Sequence, residues 1–277
     1  MYAALVQELR VDQVWWPFAP VRVASGVWSA LRARGPKPLL PNLLILQHVQ
    51  ESDIESTFLS ASDNPIYTLM GPTLTAVAIE ISATLAPSLL RVISRACPRL
   101  DTLSVRVANA DARPGPPTRA SQHMTDATLM PARRCHVYSC NLWGLAELTT
   151  VKLVGIYVTP DALAYLGSLP HVRTLDFDVH CEDLLWDAPH DKRDKLFASL
   201  ESLSVRTNRF EWCTIFLETI TSSRLRVLSL VCLGRPAPFI VMRGLCEAIG
   251  AGPWGDQLHT LEIVSGRAED RRYRVQG

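Results

Sequence analysis

Three stretches hold side chains of the kind that do chemistry. Cys135 and Cys140 flank His136, and thiolate and imidazole together suggest a metal. The second pair of ligands that a closed zinc site needs is missing, and the spacing fits no zinc motif. These thiols read instead as buried or half-buried groups on a helix. His180-Cys-Glu-Asp183, with His190 and Asp191, gathers ligand-type side chains in what reads as a solvated, charged loop. Gly250-Ala-Gly252-Pro-Trp-Gly255 spells the dinucleotide fingerprint GxGxxG. A phosphate cradle of that type follows a strand and opens a helix. Here the order is reversed, and Pro253 removes an amide that a phosphate would use, so the stretch reads as a helix C-cap and turn. No GxSxG, HExxH or P-loop occurs, and no spacing of Ser, His and Asp singles out a nucleophile and its base. The reading is of a non-enzyme with no cofactor and no metal.

The composition narrows the classes further. Of 277 residues 48% are hydrophobic and 20% charged, with 28 basic against 27 acidic side chains. That is too apolar and too balanced for a disordered chain. A net charge of +1 lacks the cationic excess that a nucleic-acid or anionic-membrane binder uses. No apolar run approaches the roughly 18 residues of a membrane span. Gln7, Glu8 and Arg10 stand where a signal peptide needs its apolar core. Seven scattered cysteines without a CxxC pair fit reduced, buried thiols. The expected setting is cytoplasmic or nuclear.

The 38 leucines point to the elements that would position any site. Leu100-Asp-Thr-Leu103-Ser-Val105 is a hexad with apolar residues at its first, fourth and sixth positions. The same phrase begins at Val6, Leu74, Leu148, Val172, Leu200, Leu225 and Leu258. It also begins at Leu43, where His48 spoils the sixth position. Repetition at such intervals is the signature of leucine-rich repeats. The apolar–variable–apolar ending has the period of two of a short strand. Strands are therefore expected near 6–11, 43–48, 74–79, 100–105, 148–153, 172–177, 200–205, 225–230 and 258–263. Each intervening stretch must return the chain to start a parallel neighbour, which calls for a crossover. The clearest one starts with Thr159 as N-cap, Pro160 at the first helical position and Asp161 against the helix N-terminus, and Pro170 ends it. Other crossover helices are expected at 23–34, 54–59, 87–96, 211–221 and 240–249. The fold class is thus α/β, a single leucine-rich-repeat solenoid with a curved parallel sheet on its concave side and helices on its convex side.

Three irregularities interrupt the rhythm. The 48 residues between the hexads at 100 and 148 read as one repeat with a long insertion, in preference to a hidden degenerate repeat. That insertion has a long loop near 107–122 containing Arg113-Pro-Gly-Pro-Pro. A polar excursion runs over 180–195. Trp15-Trp-Pro-Phe-Ala-Pro20 follows the first strand, as a partner site or, preferably, a shield for an open edge. Residues 265–277 read as a polar tail.

The fifth hexad position names a surface. In order it is Arg10, Gln47, Ala78, Ser104, Lys152, Asp176, Ser204, Ser229 and Glu262, polar in eight of nine units. The residue after it is apolar in eight of nine. Arg106, Asp178 and Arg206, two places further along, extend the strip. Both signs of charge occur, which suits a protein or peptide partner better than a phosphate backbone. A strip that is polar simply because it is wet stays open as the alternative. Reversing Asp176 and Arg206 together (D176R with R206E) is expected to abolish binding without unfolding.

Ser94-Arg-Ala-Cys-Pro-Arg-Leu-Asp-Thr-Leu-Ser-Val105 and Val158-Thr-Pro-Asp-Ala-Leu-Ala-Tyr-Leu166 resemble repeats in the leucine-rich half of F-box proteins. The uneven repeat lengths, with Leu39-Leu-Pro-Asn-Leu43, look most like the fungal branch, and the likeness runs from Val6 to Ile263. It implies a substrate receptor of a cullin-type ubiquitin ligase, docked through an F-box on a Skp-type adaptor. The hexads start too early for an F-box to precede them in this sequence, so the adaptor is expected as a partner only if an F-box lies upstream. The alternative is a structural repeat protein or a truncated fragment with no ligase connection.

Overall fold

Hexad residues one, four and six are the ones this chain can bury, and they set the architecture. The structure, a computed structural model, describes residues 5–11, 38–49, 65–107, 136–137, 139–179, 196–233, 237–265 and 272–276. The crossover helices expected at 23–34 and 54–59, the Trp15–Pro20 cluster, the loop beyond Val107 and the 180–195 excursion lie outside them.

In chain order the strands are β1 (Glu8–Val11), β2 (Ile45–Val49), β3 (Ala76–Ile81), β4 (Thr102–Val107), β5 (His136–Val137) and β6 (Thr150–Val158). They continue with β7 (Thr174–Val179), β8 (Ser202–Thr207), β9 (Val227–Cys232), β10 (Thr260–Ser265) and β11 (Arg272–Gln276). The helices are α1 (Ala86–Ala96), α2 (Pro160–Ser168), α3 (Glu211–Thr219) and α4 (Phe239–Ala251). All belong to an α/β fold with one sheet, ordered β1-β2-β3-β4-β6-β7-β8-β9-β10-β11, with β5 attached to β6. From β1 to β10 this path is parallel throughout. Each of the nine hexads overlaps one of its strands. β4 pairs directly with β6, so the 48-residue interval places no strand between them.

Burial follows the hexad. Leu100, Leu103 and Val105 are fully buried, as are Leu200, Leu203 and Val205, and Leu148, Val151 and Leu153. These side chains share one core with the inner faces of the helices, including Leu89, Leu90 and Ile93 of α1 and Leu163 and Leu166 of α2. On α3, Trp212 and Phe216 stack with centroids 4.7 Å apart, and Phe177 of β7 meets both edge-on.

The backbone repeats as strictly as the side chains. The carbonyl of the second hexad residue accepts two consecutive amides from the next strand, at 2.7–3.2 Å. Gln7, Leu44, Thr75, Asp101, Thr149, Arg173, Glu201 and Arg226 each do so, one at every junction from β1 to β10. A carbonyl oxygen has two lone pairs, so one acceptor both pairs the strands and fixes their starting register. Hydroxyls in the turns add to it. Ser222 donates to the Leu200 carbonyl at 2.7 Å, and Ser199 to that of Pro170 at 2.7 Å.

Several expectations need correcting. Thr159 precedes α2 with extended backbone, yet its hydroxyl caps nothing. It donates instead to the carbonyl of Val137 at 2.8 Å and to the Asp161 carboxylate. Cys140 is exposed, in the 3-10 turn Ser139–Asn141, and Cys246 is exposed on α4, so not all thiols are buried. Part of the expected polar tail is a strand, since β11 runs antiparallel to β10. The C-cap and turn expected after α4 do form: Gly252 caps the helix in extended conformation, its amide donating to the Ile249 carbonyl at 3.3 Å, and a turn follows. A Cβ on Gly252 would stand 2.3 Å from the indole ring of Trp254.

Leu203 and Ser204 are neighbours on β8 that face opposite ways. Leu203→Ala is expected to lower unfolding free energy by about 2–5 kcal/mol, the cost of emptying a buried leucine site. Ser204→Ala should change it by less than about 0.5 kcal/mol. Urea unfolding measures both.

Candidate functional site

Register turns the fifth hexad positions into a single row. Arg10 pairs with Gln47, Gln47 with Ala78, Ala78 with Ser104, and Ser104 with Lys152. Lys152 continues to Asp176, Ser204, Ser229 and Glu262. At about 4.8 Å per strand the eight steps cover about 38 Å along the sheet. The core lies on the other face, which leaves this one to solvent. Lys152 is exposed, and Gln47, Ser104, Asp176, Ser204, Ser229 and Glu262 are half-buried. The side chain of Arg10 lies outside the described residues.

The second row is less uniform. Arg106 is exposed and stands in register with Glu80 on one side and Val154 on the other. Asp178 pairs in register with Arg206. Together with Asp176 they form an ion cluster. Arg206 Nε donates to Asp178 Oδ1 at 2.5 Å, and Arg206 Nη2 lies 3.2 Å from Asp176 Oδ1. The second Asp178 oxygen, Oδ2, accepts the amide of Gly155 at 2.6 Å. In the first row, the Ser229 hydroxyl donates to Glu262 Oε2 at 3.2 Å.

Burial pushes the Asp178 carboxyl above the usual carboxylate range. The Arg206 charge and its hydrogen bond pull it down, as does the Gly155 amide, while Asp176 adds to the rise. A carboxyl raised by folding binds its proton more tightly in the folded state than in the unfolded one. Its ionisation therefore lowers stability as pH climbs from the ordinary carboxylate range through the raised value, and costs nothing below that range.

The cluster changes what these three residues can do. Asp178 is engaged by Arg206 and by the Gly155 amide, and Arg206 by the two carboxylates, so they are not simply open to a partner. The double reversal of Asp176 and Arg206, expected to leave the fold intact, would set a second carboxylate beside Asp178 and remove the cation that Asp178 faces. It becomes a change of stability as well as of surface.

Among the described residues, open cavities also lie elsewhere, two of them at the strand-entry rim. The larger, about 730 Å³, is lined by Arg99, Asp101, Glu147, Thr149, His171 and Arg173 with Pro98. The other, about 340 Å³, is lined by Arg224, Arg226, Pro253, Asp256, Gln257 and Ser223. Both are open and mixed in charge. Sequence reasoning named neither, although the variable second hexad residue (Asp101, Thr149, Arg173, Arg226) supplies part of each wall. It also missed Gly155, whose place inside an apolar strand run is the usual mark of a bulge.

Of the chemistry-bearing stretches, Cys135 and His180–Asp183 with His190 and Asp191 lie outside the described residues, and the side chain of His136 does too. Among the described residues no group of three His, Cys, Asp or Glu side chains converges as a metal site would require. The buried Cys97 thiol is pushed up to about 11, chiefly by burial. Among the described residues no helix is long and apolar enough to cross a membrane.

No family model and no curated protein matches this chain.

Arg206→Glu is expected to lower the unfolding free energy by about 2–4 kcal/mol, a little below the cost of breaking a fully buried pair, because the side chain keeps 22% exposure. Lys152→Glu, on the same face but exposed, should cost less than about 0.5 kcal/mol. Thermal or urea unfolding at neutral pH compares the two.

Proposed function

We propose that this chain is a non-enzymatic protein-recognition module whose repeats are leucine-rich repeats wound as a solenoid, with the polar face of the sheet as its docking surface. The observation that carries this reading is the register row from Arg10 to Glu262. Nine positions are brought into line by the backbone, and those whose side chains are described lie on the face away from the core. A long row of that kind suits a protein or peptide that lies across the strands. The mixed charge along it favours specificity over bulk electrostatic attraction, and neither nucleic acid nor a membrane surface is the proposed partner.

Hexad spacing, strand order and the repeated two-amide carbonyl support the solenoid. The resemblance to the substrate-binding half of F-box receptors makes a target for ubiquitination the leading class of partner, in cytoplasm or nucleus. Lys152, Ser104, Ser204, Ser229 and Gln47 are the contacts we assign first, since Asp178 and Arg206 are held by each other.

Affinity capture with quantitative mass spectrometry tests the surface. Ser204→Arg with Ser229→Arg should deplete specific partners at least about tenfold, equivalent to about 1.4 kcal/mol. Glu218→Arg, exposed on α3, should leave them in place. Equal capture by the unaltered protein and both variants would remove the face as the docking site. The ligase connection has its own test, retention of purified Skp-type adaptor by a longer gene product carrying an F-box ahead of the hexads. Failure of such a product to retain adaptor would leave a repeat protein without ligase membership.

A further inference from the structure

β6 departs from the pattern of every other strand in the parallel row. It pairs with β7 in step from Thr150 to Leu153, after which the register jumps, so that Tyr157 and not Val154 faces Asp178. Three residues, Val154, Gly155 and Ile156, are looped out on the β7 side. On the β4 side pairing runs on unbroken to Val154, opposite Arg106. Had β6 and β7 continued in step, as β7 and β8 do through Val179 and Thr207, Val154 would pair with Asp178 and Gly155 with Val179. Two registers thus compete for the same segment, one bulged and one zipped.

The bulged register has specific supports. Gly155 sits at φ +73°, a conformation that suits glycine and is strained for other residues. Its amide has left the ladder and donates to Asp178 Oδ2 at 2.6 Å. The carboxylate thus stands in for a missing strand carbonyl, and Arg206 holds it there through Oδ1. The bulge also sets the place of β5. His136 and Val137 pair with Tyr157 and Val158, beyond the looped residues. The amide and hydroxyl of Thr159 both donate to the Val137 carbonyl, at 3.0 and 2.8 Å. Zipping β6 onto β7 would displace Tyr157 and Val158 by three residues from β5.

We propose that the Asp178–Arg206 pair is a latch that holds β6 in its bulged register and thereby keeps β5 docked on the sheet. Withdrawing the carboxylate leaves the Gly155 amide without its acceptor and frees β5. The latch lies on the same face as the docking row but operates whether or not that face binds a partner. A group that competes for Arg206 would be felt at β5, on the far side of β6 and β7 from β8. That is coupling through an element with two discrete arrangements.

Hydrogen–deuterium exchange tests this on the intact protein. In Asp178→Asn, amides of Gly155, Thr159 and His136–Val137 should exchange about tenfold faster or more, the lower end for loss of one charge-assisted hydrogen bond. Amides of β9 and β10 should be unchanged. Asp176→Asn, which spares the Gly155 acceptor, should leave β5 protected. If Asp178→Asn does not fold, Arg206→Gln, which removes the cation that holds the carboxylate in place, should speed exchange at the same amides. Unchanged exchange at Gly155 and β5, or equal acceleration across all strands, would overturn the latch and leave these residues as ordinary stabilisers.

Discussion

The carbonyl of the second hexad residue accepts two amides from the following strand at eight successive junctions, and the remaining geometry is built on that step. It fixes where each strand starts relative to the one before. With the start fixed, the period of two sends residues four and six into the core and residue five to the other face at every strand from β3 to β9. A slip of one residue at any junction would turn the buried set outward. The apolar residues at positions one, four and six supply the driving force, and the carbonyl supplies the register. Neither alone would align Arg10 with Glu262 through seven strands between them.

Much of this was legible in the residues, for a physical reason. A hexad that buries three positions must keep them apolar, so the pattern survives any choice at the other three. The helices at 87–96, 211–221 and 240–249 were readable for a similar reason, and α1, α3 and α4 lie within two residues of them. Features held by single polar contacts were not readable. The two-residue β5 is too short to carry a period. The Thr159 hydroxyl has a standard role as a cap, and the Val137 carbonyl and the Asp161 carboxylate divert it. β11 does alternate, with Tyr273 and Val275 between polar residues, but the many charges around it concealed that strand.

The face shows the same division. Sequence alone identified which side chains share it, because sharing a face follows from register. It gave no means of telling which of them the fold uses for itself. Asp178 and Arg206 look like recognition charges in a string of letters. In the folded chain they neutralise each other and satisfy a backbone amide that a bulge has removed from the ladder. Lys152 has no such duty, and the serines along the row are small enough to admit a partner closely. The proposed docking surface is accordingly narrower in chemistry than the strip of polar letters suggests, and part of its charge is structural.

Adjacency of β4 and β6 across the 48-residue interval is the most exposed point of the registered row, because the local pattern says nothing about it. Oxidative cross-linking of paired cysteines, read by peptide mapping, addresses it directly. Ser104→Cys with Lys152→Cys places the two Cα atoms about one strand spacing apart, within reach of a disulfide. Ser104→Cys with Thr150→Cys, offset by two residues, places them beyond it. The registered row predicts a rapid cross-link in the first protein and none in the second; a cross-link in the second alone, or in neither, would contradict it.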